Sequence, residues 1–126
     1  MKTQLDKFTL AYIEAALWST NDESTPRGGE PLDANYSIDD IAPVTLATMV
    51  ADCKEFQRVC GVPSYNNPLW SNAELAGHDF WLTRNGHGSG FWDGDLPEDV
   101  SDRLTAASHE YGEFDLYVGD DGAIHA

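Results

Sequence analysis

The chain has 126 residues, 41% hydrophobic and 11% aromatic, enough for one buried core and too few for two, so a single domain over residues 1–126 is expected. Twenty-two acids against seven bases leave a net charge of -15. Such a surface repels phosphate backbones and anionic headgroups, which excludes direct nucleic-acid and membrane binding from the expected roles.

Residues 4 to 18 predict a first helix, with Leu5, Phe8, Tyr12, Ala15 and Ala16 at helical spacing and Ile13 and Leu17 widening the apolar stripe. Asp6 and Glu14 interrupt this segment, so it reads as neither a membrane span nor a signal core, and a cytoplasmic protein is expected. The next stretch, "STNDESTPRGGEPLDANYS" at 19–37, is polar and aperiodic and predicts a long flexible loop.

Leu46, Met49, Cys53, Phe56 and Cys60 recur at spacings of three and four and define the second helix, with Pro43 in its first turn and Gly61 and Pro63 as stop signals. Both cysteines fall on the apolar stripe. They lie seven residues apart, roughly 10 Å along a helix axis, too far for a disulfide within it. Reduced packing thiols are the expectation.

"WSNAELAG" offers a capping box, Ser71 with Glu74, and a short helix closed by Gly77. Directly after it stands "GHDFWLTRNGHGSGFWDGD", residues 77 to 95, dense in aromatics, glycine and histidine. Asn85-Gly86 is a strong type I′ turn signal and predicts a β-hairpin over about residues 79–92. Counting outward places Arg84 opposite His87, Trp81 opposite Gly90 and Phe80 opposite Phe91. Phe80, Leu82 and Phe91 would then share the core face, and Trp81 and Trp92 the other. That second face is either covered by a helix or exposed as a partner-binding surface, where tryptophans are common hot spots.

The third long helix is predicted over residues 96 to 111, with Leu96, Val100, Leu104, Ala107 and Tyr111 on one face and Gly112 as its stop. Phe114, Leu116 and Val118 then alternate with Asp115 and Tyr117 as a half-buried strand, and "GDDG" returns Ile124 beside it. The order of elements implies an α+β fold: three main helices packed on a small antiparallel sheet made of the hairpin and the C-terminal strand pair.

The chemistry-bearing patterns are mostly absent. His78 and His87 would stand at opposite ends of the hairpin and could not share an ion, and no H-x-x-x-H, C-x-x-C or EF-hand spacing occurs, so no metal is expected. "RNGHGSG" lacks the Lys-Ser/Thr and helix of a phosphate loop, and there is no G-x-S-x-G elbow. No catalytic residue and no cofactor is assigned.

Charge is the more informative signal. Residues 85–126 hold ten acids and one base. Asp95, Glu98, Asp99 and Asp102 stand at i, i+3, i+4 and i+7, which sets four carboxylates on one side of the third helix, successive turns about 5–6 Å apart. That is near the separation of neighbouring phosphates along a nucleic-acid strand. It is also what a helix dipole and an ordinary solvated face would produce.

The span "AGHDFWLTRNGHGSGFWDGDLPEDVSDRLTAASHEYGEFDLYVGDDGAIH", residues 76–125, resembles a family of small phage and prophage proteins sharing the phrase GHDFWLTRNGHG-x-GFWD. Members often carry Arg after that phrase, where this chain has Gly94. The resemblance implies a protein made in the cytoplasm of an infected bacterium and carries over no site residue. It favours a small acidic accessory protein that binds and modulates a host or defence protein, with nucleic-acid mimicry as the candidate mode. The partner would be basic and nucleic-acid-handling, meeting Asp95, Glu98, Asp99, Asp102, Trp81 and Trp92. The alternative is a small-ligand or nucleotide-binding or processing protein using the Trp81/Trp92 face with Arg84 and His87. A virion component is a third reading.

Overall fold

A computed structural model of the protein describes residues 5–24, 28–87, 89–92 and 96–126. Among these, four α-helices and two separate two-stranded antiparallel sheets make a helix-dominated α+β fold.

Helix α1 (Lys7–Ser19) runs through the middle of the molecule. Asp6 caps it by accepting the Thr9 amide at 2.8 Å. Only Lys7, Leu10, Glu14 and Trp18 face solvent along it; the other helical residues are buried or, at Ser19, half-buried. Its closest neighbour is α3 (Asn72–Arg84), and glycine makes that approach workable. A Cβ on Gly77 would overlap the Phe8 carbonyl, so the two backbones meet where no side chain intervenes.

Helix α2 (Pro43–Cys60) buries Met49, Cys53 and Phe56 and ends at Gly61, whose φ of +70° suits glycine. Cys53 is fully buried and Cys60 partly so. Burial pushes the Cys53 thiol well above its ordinary range and leaves it a packing group.

The span between α1 and α2 contains more structure than a loop. Strands β1 (Asn21–Asp22) and β2 (Glu30–Pro31) pair antiparallel, and 3-10 turns occupy Leu32–Ala34 and Ile38–Asp40. Leu32 is the reason: its side chain is fully buried against α1 and its amide donates to the Thr20 carbonyl at 2.9 Å.

Helix α4 (Glu98–His109) buries Ser101, Leu104 and Ser108. Strands β3 (Tyr117–Val118) and β4 (Ile124–His125) follow, with Val118 opposite Ile124 as the alternation and the "GDDG" turn predict. Leu116 and Ile124 supply the buried side of that pair, and Ala42 donates to the Ile124 carbonyl at 2.9 Å, tying the C-terminus to the start of α2.

The predicted hairpin at 79–92 is not formed. Its first half is the body of α3. Ser71 caps that helix, accepting the Glu74 amide at 3.2 Å and donating to the Glu74 carboxylate at 2.8 Å. The helix passes through Gly77, which is a contact glycine and no terminator. Ala76, Gly77, Phe80, Trp81, Thr83 and Arg84 are buried with helical spacing. Asn85-Gly86 supplies a helix stop in place of a strand turn. Gly86 has φ +69°, His87 donates to the Leu82 carbonyl at 3.0 Å and Gly86 to that of Thr83 at 3.2 Å. These are the two bonds of a Schellman cap, which needs one left-handed residue, whereas a type I′ turn needs two.

Candidate partner-binding surface

The dense stretch that includes the end of α3 builds the core. Phe80 stacks on Phe56 at 4.2 Å between ring centres, and Phe56 stacks in turn on Phe91 at 5.8 Å. The Phe91 amide donates to Thr83 Oγ1 at 3.0 Å, and a side chain on the intervening Gly90 would collide with the same Thr83 hydroxyl. Folding accounts for most of the phrase.

Trp81 is 1% exposed, so it and Trp92 do not share an open face as the hairpin register implies. Because α3 turns Trp81 inward, its ring meets Tyr12 edge-on at 5.3 Å and its Nε1 donates to Ser19 Oγ at 2.7 Å. It lines a cleft beside His87 but is not displayed as an open face to a partner. Trp92 remains 50% exposed, in the segment leading to α4.

Arg84 is likewise buried, 5% exposed, with its donors committed to the protein itself. It donates to the carbonyls of Gly112 at 2.8 Å and Tyr111 at 3.0 Å, to the Tyr12 hydroxyl at 2.9 Å and to Asp52 at 2.9 Å. The rings of Phe80, Tyr111 and Phe114 surround its guanidinium at 5.2–5.7 Å. One side chain thus pins α1, α2 and the chain leaving α4 to the end of α3. Burial raises the Tyr12 hydroxyl far above its ordinary value despite the lowering effect of the Arg84 charge, so it stays a neutral member of this network.

His87 lies on a polar cleft of about 370 Å³ with Glu23, Asn85, Glu113 and Asp115 on its walls. Arg84 does not line this cleft. An acid-lined cleft that Arg84 does not reach is poorly suited to a nucleotide's phosphates, and of the residues proposed for a ligand site it joins Trp81 with His87 but leaves Arg84 apart. Among the described residues no three His, Cys, Asp or Glu side chains come together as a metal site needs. No helix among them is long and apolar enough to cross a membrane.

The acidic pattern has a different placement. Asp95 lies outside the described residues. Glu98, Asp99 and Asp102 occupy the first two turns of α4 and are all exposed. Glu98 and Asp102 stand one turn apart on one flank and Asp99 beside them, away from the buried Ser101 and Leu104. Among the described residues, none of the three forms an ion pair or accepts a side-chain hydrogen bond. Arg103, the base on the same helix, reaches instead to the Cys60 carbonyl at 3.4 Å.

Ser101 donates to the Phe91 carbonyl at 2.8 Å, so the residue next to Trp92 is fastened to the second turn of α4. Among the described residues, the exposed flank of α4 therefore carries three carboxylates without an ion-pair partner, while the half-exposed Trp92 indole lies beside Gly90. Sequence periodicity identifies the carboxylates; the departure of Trp81 from that surface follows from α3, which the Asn-Gly signal obscured.

Comparison of the chain with protein-family models, with curated proteins and with solved structures gives no match in any of the three.

Proposed function

We propose that this chain is a small acidic accessory protein of phage type, working in the bacterial cytoplasm, that binds and modulates a basic host or defence protein. The observation that carries the reading is the exposed set Glu98, Asp99 and Asp102 on the first two turns of α4, without an ion-pair partner among the described residues. Carboxylates one turn apart, about 5–6 Å, can meet lysines and arginines spaced to hold successive phosphates. The net charge of -15 adds long-range attraction to such a partner. Trp92 supplies the apolar contact that charge alone lacks. The partner class is a nucleic-acid-handling protein whose binding groove α4 would occupy.

The test is capture from a bacterial host lysate with tagged wild type and with Glu98→Gln/Asp99→Asn/Asp102→Asn. The reading expects a nucleic-acid-handling protein on the wild type that is released by added DNA or RNA, released by salt, and missing from the variant. Retention by both, unaffected by nucleic acid, contradicts it.

A further inference from the structure

We infer a second docking surface, independent of α4, in which the exposed stripe of α1 forms a ridge between two apolar clefts that take a basic amphipathic segment of a partner protein. On one side of the ridge, Ala11, Glu14, Trp70, Glu74, Leu75 and His78 line a cleft of about 340 Å³. On the other, Leu10, Ile13, Leu17, Tyr36 and Ile38 line one of about 270 Å³, with Glu14 and Asp33 at its edge. Glu14 belongs to both.

The apolar groups are displayed there at a cost. Leu10 and Trp18 stand in the single solvent-facing stripe of a helix that is otherwise almost entirely buried. Trp70 is 57% exposed although its backbone is held: Asn67 Oδ1 accepts the amides of Leu69 at 2.8 Å and Trp70 at 3.2 Å, fixing the turn that carries the indole to the cleft. Exposed apolar side chains gathered beside clefts and rimmed by charge mark protein-binding faces.

Charge selects the occupant. Glu14 on the ridge and Asp33 in one cleft ask for a cation, and the Trp70 ring offers a face for one, whereas the Glu74 carboxylate in the other cleft is already engaged by Ser71. A helix crossing α1 can set one apolar side chain in each cleft while the lysine or arginine between them meets Glu14. A second copy of this chain, itself at -15, is repelled. The surface shares no residue with α4, so it neither needs nor supports the reading placed there.

The experiment uses the full chain and a synthetic Leu/Lys amphipathic helical peptide, with a Leu/Glu peptide and an all-Lys peptide as controls, followed by amide chemical shifts. Saturable binding of the Leu/Lys peptide is expected, with shifts centred on Leu10, Glu14, Trp70 and His78. Glu14→Gln and Trp70→Ala should each weaken it about tenfold, as removal of a central contact does. Glu98→Gln/Asp99→Asn/Asp102→Asn should change it by less than about twofold. Both altered residues of the first pair are solvent-exposed, so the fold is kept. Equal binding of the all-Lys peptide, an equal loss in the α4 variant, shifts confined to α4, or self-association of the free protein through this face would each overturn the inference.

Discussion

The end of α3 and the start of α4 both carry charge, and the two use it in opposite ways. Arg84 is withdrawn from solvent and given two carbonyls, a hydroxyl, a carboxylate and three aromatic faces, so its cost of burial is offset on every side. Glu98, Asp99 and Asp102 are left in water with no partner among the described residues. A charge satisfied within the molecule works for the fold. A charge left unsatisfied at the surface is available to something else, and its removal should hardly disturb the fold at all.

The sharpest way to break the contrast is at Arg84. Replacing it with methionine strands Asp52 and the Tyr111 and Gly112 carbonyls, and urea denaturation should show a loss of about 3–5 kcal/mol. Arg84→Lys should recover only part of this, because one ammonium cannot reach the places that the planar fork serves. Next is Gly77→Ala. Alanine is the better helix former, yet its methyl collides with the Phe8 carbonyl, so a net loss of about 2 kcal/mol is expected by the same measurement.

A smaller effect belongs to the cap of α1. Burial tends to raise the Asp6 carboxyl, but hydrogen bonds from the Thr9 hydroxyl and amide and from Gln57, with the Lys54 charge, outweigh it and hold the carboxyl below its ordinary value. A carboxyl depressed on folding contributes stability above its unfolded pKa and loses it as pH falls through the folded one. Asp6→Ala should therefore cost about 1 kcal/mol at neutral pH, and the deficit should shrink in acid-side unfolding curves. Least affected should be Glu98→Gln/Asp99→Asn/Asp102→Asn, whose stability is expected within about 0.5 kcal/mol of wild type.

Elements governed by local signals were legible in the sequence. Helix α2 announces itself by a continuous apolar stripe between Pro43 and Gly61, and β3 with β4 by alternation around "GDDG". The Ser71–Glu74 box marks the start of α3, but its continuation past Gly77 is hidden because each later signal has two meanings. Gly77 serves equally as a helix stop or as a point of close contact, and the distinction lies in the Phe8 backbone, sixty-nine positions away in the chain. Asn85-Gly86 likewise fits a strand turn or a helix cap. The spacing of Ala76, Phe80, Trp81 and Arg84, together with the Ser71–Glu74 box, is the pattern that decides for a helix.

The same error explains what happened to the candidate site. Strand alternation sets Trp81 on the second face and the Asn-Gly turn sets Arg84 beside His87, whereas the helical period turns both inward. The α4 carboxylates needed only the period of their own helix and kept their placement. The clefts flanking α1 depend on where α3, Trp70 and the Leu32–Ala34 and Ile38–Asp40 turns come to rest, so no local pattern in the sequence could display them.

The central claim, that surface charge on α4 serves a partner while the Arg84 cluster serves the fold, is tested most directly by measuring stability and partner capture together on Glu98→Gln/Asp99→Asn/Asp102→Asn. The account predicts an unfolding curve superimposable on wild type and loss of a salt-sensitive, nucleic-acid-competed partner. A variant that is clearly destabilised, or one that keeps the partner undiminished, would contradict it.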